Sequence, residues 1–286
     1  MRHLNILFIF TALLSTGCIE TIDLELENSR QLLVVDGAIT NTDSSIIRLS
    51  YTGDYFENTA PDFTVEENAT LVLFENGQVA DTLTFQADSA YFITRHQGKM
   101  GNEYSLTLTT KDGSIYTSEP EIMNTVEPID SLYYQYQEED FGDFYVIYLN
   151  SFETAGIGNY YQWKVYINDE YQALYDDLIF AEDAFVDGNP ILDWDIYYIP
   201  LEDYEEFKAN SPDGTVTVRI EQMGINQGYY DFLRLLFEQT VFVGGPFSPP
   251  PAEIPGNVSN SGDPANNPLG YFYTASIESA EVTIDE

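Results

Sequence analysis

The chain has 286 residues, 44% of them hydrophobic and 15% aromatic, so it can bury real cores and is not an acidic disordered polymer. Ten Lys plus Arg face 48 Asp plus Glu, for a net charge of −38. That balance excludes nucleic acid as a partner, because binding it takes cations that displace counterions; the acids are spread along the chain and read mainly as a solvating surface.

In chain order, Arg2 precedes an apolar run from Leu4 to Leu14, closed by Ser15-Thr16-Gly17 before Cys18. A run of about a dozen residues is too short to cross a hydrocarbon core of roughly 30 Å, so residues 1–17 read as a cleaved signal peptide. Small residues ahead of the sole cysteine resemble the lipobox of bacterial lipoproteins, with Ser15 where an aliphatic residue is usual. The resemblance implies a triacylated Cys18, and three chains anchor a protein far more firmly than one. With Cys18 carrying lipid, disulfide and thiol chemistry drop out. Residues 18–30 then form a lipidated tether. Its spaced acids Glu20, Asp23, Glu25 and Glu27 resemble the export signal of Bacteroidetes-type lipoproteins, which implies the outer membrane and its cell-surface face.

From Gln31 the pattern is strand after strand. Gln31 to Ile39 and Ser45 to Thr52 come first; Ala69 to Glu75 and Val79 to Phe85 flank Asn76-Gly77, whose positive φ angles suit a type I′ hairpin turn. Tyr104 to Thr110 and Ser114 to Ser118 flank Asp112-Gly113 in the same way. Roughly seven short strands with regular turns predict an immunoglobulin-like β-sandwich over residues 31–118. Residues 119–128 hold two prolines and read as a linker.

A second β-sandwich is expected over residues 129–286, from alternating runs at Ser131 to Gln137, Phe144 to Phe152, Tyr160 to Asn168 and Thr215 to Met223. Between them, Asp176 to Phe207 reads as an irregular acidic insertion of the kind that carries function on a rigid scaffold. One amphipathic helix stands out at Asn226 to Gln239, where Tyr229, Phe232, Leu233, Leu236 and Phe237 make one stripe; it is expected to plug an end of the second sandwich. Gly244 to Pro268 holds seven prolines, which restrict φ and let a long loop stay ordered. Leu269 to Ser276 and Ala280 to Ile284 close the chain as two strands. The fold class is therefore mainly β, with two β-sandwich domains.

Several segments together resemble a family of unknown function in Bacteroidetes outer-membrane lipoproteins. They are Val34-Val35-Asp36-Gly37, Gly53-Asp54-Tyr55-Phe56, Ile129-Asp130-Ser131-Leu132-Tyr133-Tyr134, Tyr160-Tyr161-Gln162-Trp163-Lys164-Val165-Tyr166, Pro255-Gly256-Asn257 and Leu269-Gly270-Tyr271-Phe272. Genes of that family typically lie beside those of TonB-dependent receptors. The resemblance implies a non-enzymatic accessory partner of such a receptor in uptake of an unidentified nutrient ligand, with no catalytic residues to carry over. A surface adhesin or scaffold is the alternative, and a carboxylate-dependent hydrolase a more distant one.

Few residues of the chain suit catalytic or metal chemistry. His3 leaves with the signal peptide, so a Ser-His-Asp triad could use only His96, which reads as an exposed loop residue. A zinc site of Cys and His lacks its ligands. Glycoside hydrolysis needs only two carboxylates, but dozens are present and no pair sits in a motif. The acidic insertion offers calcium its oxygens through Asp176, Asp177, Glu182, Asp183, Asp187, Asp193 and Asp195, with Asp183, Asp187, Asp193 and Asp195 the foremost candidates. It is not an EF-hand, since Phe185 and Trp194 hold the third and twelfth positions. Trp194, Tyr197-Tyr198 and Tyr229-Tyr230 are candidates for a ligand-stacking platform for sugars or peptides, against the commoner arrangement of one ring inward and the next outward. Asp81-Thr82-Leu83, Asp88-Ser89-Ala90 and Asp130-Ser131-Leu132 resemble short O-glycosylation signals of exported proteins.

Overall fold

Alternation of apolar and polar residues sends successive side chains to opposite faces of a strand, and here that rule builds two cores on one shared sheet. The computed structural model describes residues 31–53, 63–139, 142–172, 178–241 and 254–285. Cys18, the signal peptide, the tether and Asp54-Tyr55-Phe56 lie outside the described residues, as do Asp176 and Asp177.

The first part of the chain forms β1 (Leu33–Thr40), β2 (Ser45–Tyr51), β3 (Thr70–Glu75), β4 (Gln78–Thr82), β5 (Thr84–Gln86), β6 (Tyr91–Thr94), β7 (Glu103–Thr109), β8 (Ile115–Ser118) and β9 (Glu121–Ile122). The Asn76-Gly77 turn between β3 and β4 has φ of 49° and 73°, as the dipeptide predicts. The second part forms β10 (Ile129–Gln137), β11 (Phe144–Phe152), β12 (Tyr160–Ile167), β13 (Glu170–Tyr171), β14 (Ile179–Glu182), β15 (Pro190–Pro200), helix α1 (Leu201–Asn210), β16 (Val216–Ile225), helix α2 (Gln227–Val241), β17 (Val258–Asn260) and β18 (Leu269–Ile284). The fold is mainly β, with several sheets.

A nine-stranded sheet runs β13-β12-β16-β18-β1-β2-β6-β5, with β14 also on β12; a six-stranded sheet runs β17-β8-β7-β3-β4, with β9 also on β7; and β10-β11-β15 make a third. The first core fills the space between β1, β2 and β6 of the large sheet and the six-stranded sheet, with Val35, Ile47, Leu49, Leu71, Leu106 and Phe272 fully buried. The second lies between β12 and β16 of the same large sheet and the three-stranded one, around Trp163, Val218, Ile220, Tyr145 and Ile147.

Sequence from one part completes the other. Strand β18, expected as two strands, is continuous over 16 residues. Its first half pairs parallel with β1, from Val34 opposite Leu269 to Thr40 opposite Ala275, and its second half pairs antiparallel with β16. Strand β17 from the proline-rich segment pairs with β8. The 119–128 segment, read as a linker, contributes β9, which pairs with β7. Its Glu127 carbonyl accepts a 2.8 Å bond from Gln222 in the second part. The two sandwiches are thus built on one sheet, and 119–128 passes between them as a bonded strand and turn.

The Pro255-Gly256-Asn257 and Leu269-Gly270-Tyr271-Phe272 segments meet at the join. Gly270 adopts φ +83°, and a Cβ there would lie 2.1 Å from the Val35 carbonyl oxygen; a Cβ on Gly256 would lie 2.1 Å from the Gly270 carbonyl oxygen. Only glycine admits that approach. Asn257 then stands in for a strand, its amide nitrogen donating to the Phe272 carbonyl (2.6 Å) and its amide oxygen accepting from the Phe272 N–H (3.0 Å).

The acidic stretch read as an irregular insertion is largely regular. Residues 179–182 are β14, 190–200 are the 11-residue β15 and 201–210 are α1. Its alternation was hidden because β15 pairs with β11 through two register irregularities, which break the period of two. Helix α1 buries Tyr204 against the second core, with Glu202 and Asp203 in its first turn, where carboxylates meet the positive end of the helix dipole. Helix α2 forms where its stripe predicts but does not plug a sandwich end. It packs on the outer face of the shared sheet, burying Tyr229 and Leu233 against Met223, Ile225, Tyr271 and Tyr273. Among the described residues no helix is long and apolar enough to cross a membrane.

Candidate functional site

Of the four foremost calcium candidates, the fold brings Asp183 and Asp187 together with Glu153, a residue sequence reading did not single out; their ligand oxygens lie within 4.8 Å of one another. Glu153 directly follows β11 and opens the connection to β12, and Asp183 and Asp187 lie in the turn after β14. Both Glu153 and Asp183 are buried, at 1% and 2% exposure. Like charges this close repel, so the donors around them decide what the cluster is.

Those donors are numerous. Glu153 accepts from Gly188 N (2.6 Å), Asn159 Nδ2 (3.0 Å) and Tyr161 OH (2.9 Å). Asp183 accepts from Gly158 N at 3.1 and 3.0 Å and from Asn159 N at 3.1 Å. Asp187 accepts from Gly156 N at 2.6 Å. Gly158 can aim its N–H at Asp183 because its φ is +113°. Calcium takes six to eight oxygens, and of the six these three carboxylates carry, five already accept hydrogen bonds from N–H or O–H donors that compensate their charge. Glu153, Asp183 and Asp187 are the described residues that could hold a cation; their present work is to lock two turns together.

Asp193 and Asp195 do not join this cluster. Asp193 accepts a 2.6 Å bond from Tyr133 OH, which pushes the tyrosine up to about 12, and Asp195 accepts from Tyr198 OH with the same result. The aromatic candidates do not share one face, and Tyr229 and Tyr230 lie on α2 with the outer-face cluster. Trp194 and Tyr197 pack against the second core, with Trp194 edge-on to Trp163 at 4.8 Å, whereas Tyr198 is exposed beside Phe144. His96, read as an exposed loop residue, is partly covered, with Nε2 3.3 Å from Glu75 Oε2.

A cleft of which sequence reading named only Tyr229, among the stacking candidates, lies on the outer face of the shared sheet. Trp163 and Val165 of β12 point into the second core, so Gln162 and Lys164 point the other way; by the same alternation Val35 and Leu49 enter the first core and leave Asp36 and Arg48 outside. These outward side chains and the underside of α2 enclose a cleft of about 480 Å³, walled by Tyr171, Tyr229, Phe232, Leu236, Tyr271 and Tyr273. A second depression of about 270 Å³ continues along the sheet and shares Asp36, Arg48, Lys164 and Tyr273 with it.

Two polar groups in the cleft are under-used. Gln162 is 2% exposed and its Oε1 makes no hydrogen bond. Gln222, equally buried on the neighbouring strand but facing the core, is fully engaged: its oxygen accepts from Trp163 Nε1 at 2.9 Å and its nitrogen donates to Glu127 O and Ser151 Oγ. An unpaired buried acceptor costs about 1 to 3 kcal/mol, so Gln162 is a standing deficit that a donor would relieve.

Lys164 is the second. Its Nζ gives one long bond, 3.4 Å to Tyr273 OH, and lies 5.7 Å from the Tyr171 ring centre. Among the described residues no carboxylate stands within 4.0 Å of it. Its cross-strand neighbour Glu221 is taken by Arg219 Nη1 (2.5 Å) and Tyr166 OH (3.0 Å). The Tyr273 oxygen, outweighing desolvation, holds the ammonium above the usual lysine range, so it is charged at neutral pH. Arg48 stands at the mouth, exposed, beside its cross-strand partner Asp36. In a chain of net −38, two cations converge on one aromatic cleft.

The cleft rests on firm ground. Tyr229 stacks on Tyr273 at 3.7 Å and 8°, and Tyr271 OH donates a 2.9 Å bond to Glu121 of β9. Burial pushes the Glu121 carboxyl above its ordinary value, against bonds from Tyr271, Asn226 and Asn257.

A family model described as Domain of unknown function (DUF4249) matches residues 19–281, a span that includes every strand of the shared sheet except the last three residues of β18. No curated protein matches the chain.

Proposed function

The chain belongs to the DUF4249 family, and from that premise we propose that it is a non-enzymatic binding protein of the outer membrane, anchored through Cys18 and facing the cell surface. There it captures a small nutrient ligand and passes it to a TonB-dependent receptor. The observation that carries the binding reading is the cleft under α2, where a charged Lys164 with one long bond and Gln162, whose buried oxygen has no partner, line an aromatic enclosure. Concave, largely apolar pockets with a few convergent polar groups are what small-molecule sites look like. A binding role also agrees with the acids: the Glu153, Asp183 and Asp187 cluster of the described residues is held largely by backbone donors. The signal-like N-terminus and lone Cys18 support the membrane address.

The test is an affinity pull-down of the full lipidated protein from detergent-solubilised outer membranes, with mass spectrometry of what accompanies it. A stoichiometric TonB-dependent receptor is the expected result. A lipoprotein recovered alone in mild detergent would overturn the partnership and leave a surface adhesin or scaffold as the better reading.

A further inference from the structure

We propose that the cleft between α2 and the shared sheet binds a small organic carboxylate that carries an N–H or O–H donor next to the carboxylate and an apolar body, an arrangement found in N-acylated amino acids. The inference rests on the binding role above, and it names the chemistry of the ligand.

Each part of that description answers one feature of the cleft. The Lys164 ammonium has donors to give and a single long bond to Tyr273, so an anionic oxygen is its natural partner; charge-assisted bonds of this kind are about twice as strong as neutral ones. Arg48 at the mouth adds a second positive charge, and Asp36 removes one, so the charged lining sums to one positive charge and is neutralised by a monocarboxylate. Gln162 Oε1 is an acceptor and requires a donor, which a bare fatty acid does not have and an amide or α-hydroxyl group does. The remaining wall is rings and leucines, suited to an apolar side chain, and about 480 Å³ accommodates a molecule of this size. A polyphosphate fits poorly, because one buried ammonium cannot balance several charges in an otherwise acidic protein.

Titration calorimetry on the full lipidated protein in detergent micelles tests this with three probes. N-acetyl-phenylalanine has all three parts, its carboxamide analogue lacks the charge, and 3-phenylpropionate lacks the N–H donor. N-acetyl-phenylalanine, or its leucine or tyrosine counterpart, is expected to bind saturably. The carboxamide should bind about tenfold more weakly or worse, and phenylpropionate several-fold more weakly. Lys164→Met should abolish the preference for acid over amide, which Lys164→Arg should partly restore. Gln162→Leu should abolish only the preference over phenylpropionate. Equal binding of acid and amide, or no saturable binding of any N-acetyl amino acid at millimolar concentration, would overturn the proposal. Because the probe comparisons are made on the unaltered protein, they decide the matter even if a variant does not fold. A receptor recovered in the pull-down while no probe binds would end this ligand assignment and leave the partnership standing; the reverse pattern would do the opposite.

Discussion

The acidic knot of Glu153, Asp183 and Asp187 and the cleft around Lys164 and Gln162 both bury charged or polar groups, yet the fold treats them in opposite ways. In the knot, each carboxylate receives backbone or side-chain donors at hydrogen-bonding distance, and two turns are locked by the result. In the cleft, one ammonium and one amide oxygen are left with little or nothing while rings close around them. Acidic composition drew attention to the first region, and the lack of partners marks the second. Satisfaction of the buried polar group, more than the presence of charge, separates architecture from a binding surface.

Four measurements put that contrast to the test. The largest effect is expected for Glu153→Ala, which leaves three donors without their acceptor and should lower unfolding free energy by about 3 to 4 kcal/mol in urea titrations. A wild-type midpoint for this variant would mean that the knot is not structural.

Next is the pH dependence set by Glu121, beneath the cleft floor. A carboxyl whose folded-state pKa is raised favours the folded state while protonated. Its contribution is complete below the unfolded value and is lost as pH rises through the raised folded value. Subtracting the stability curve of Glu121→Gln from that of the wild type should therefore give a difference that declines between acid and neutral pH. A flat difference curve would show that Glu121 is not held in that environment.

Smaller still is Lys164→Met. Removing a poorly paired ammonium should change stability by less than about 1 kcal/mol, in either direction, in the same urea titrations. A loss as large as that of Glu153→Ala would turn Lys164 into a second structural knot. The smallest effect is expected from calcium: because donors already face the three carboxylates, melting temperatures in chelator and in millimolar calcium should agree within error. A clear rise with calcium would make the knot a cation site.

Much of the strand inventory was readable along the chain, since period-two runs and Asn-Gly or Asp-Gly turns are local signals. So was the α2 stripe, where Tyr229, Phe232, Leu233, Leu236 and Phe237 recur at helical spacing. Strand β15 was not readable, because its register irregularities against β11 erase the alternation and its acids mimic a loop. Nor was the role of Glu153, which stands 30 residues from Asp183 and meets it only through the pairing of β12 with β14.

Sequence alone determined the mainly β class, the hairpin turns and the helix, because periodicity and turn chemistry act over a few residues. The join of the two sandwiches and the cleft were decided only in three dimensions. Both depend on β18 running between β1 and β16, a pairing across more than 200 residues on one side and about 60 on the other, which no local pattern encodes. Gln162 and Lys164 read as the polar half of an ordinary strand until that sheet closes and α2 lies over it, and only then does their lack of partners acquire meaning.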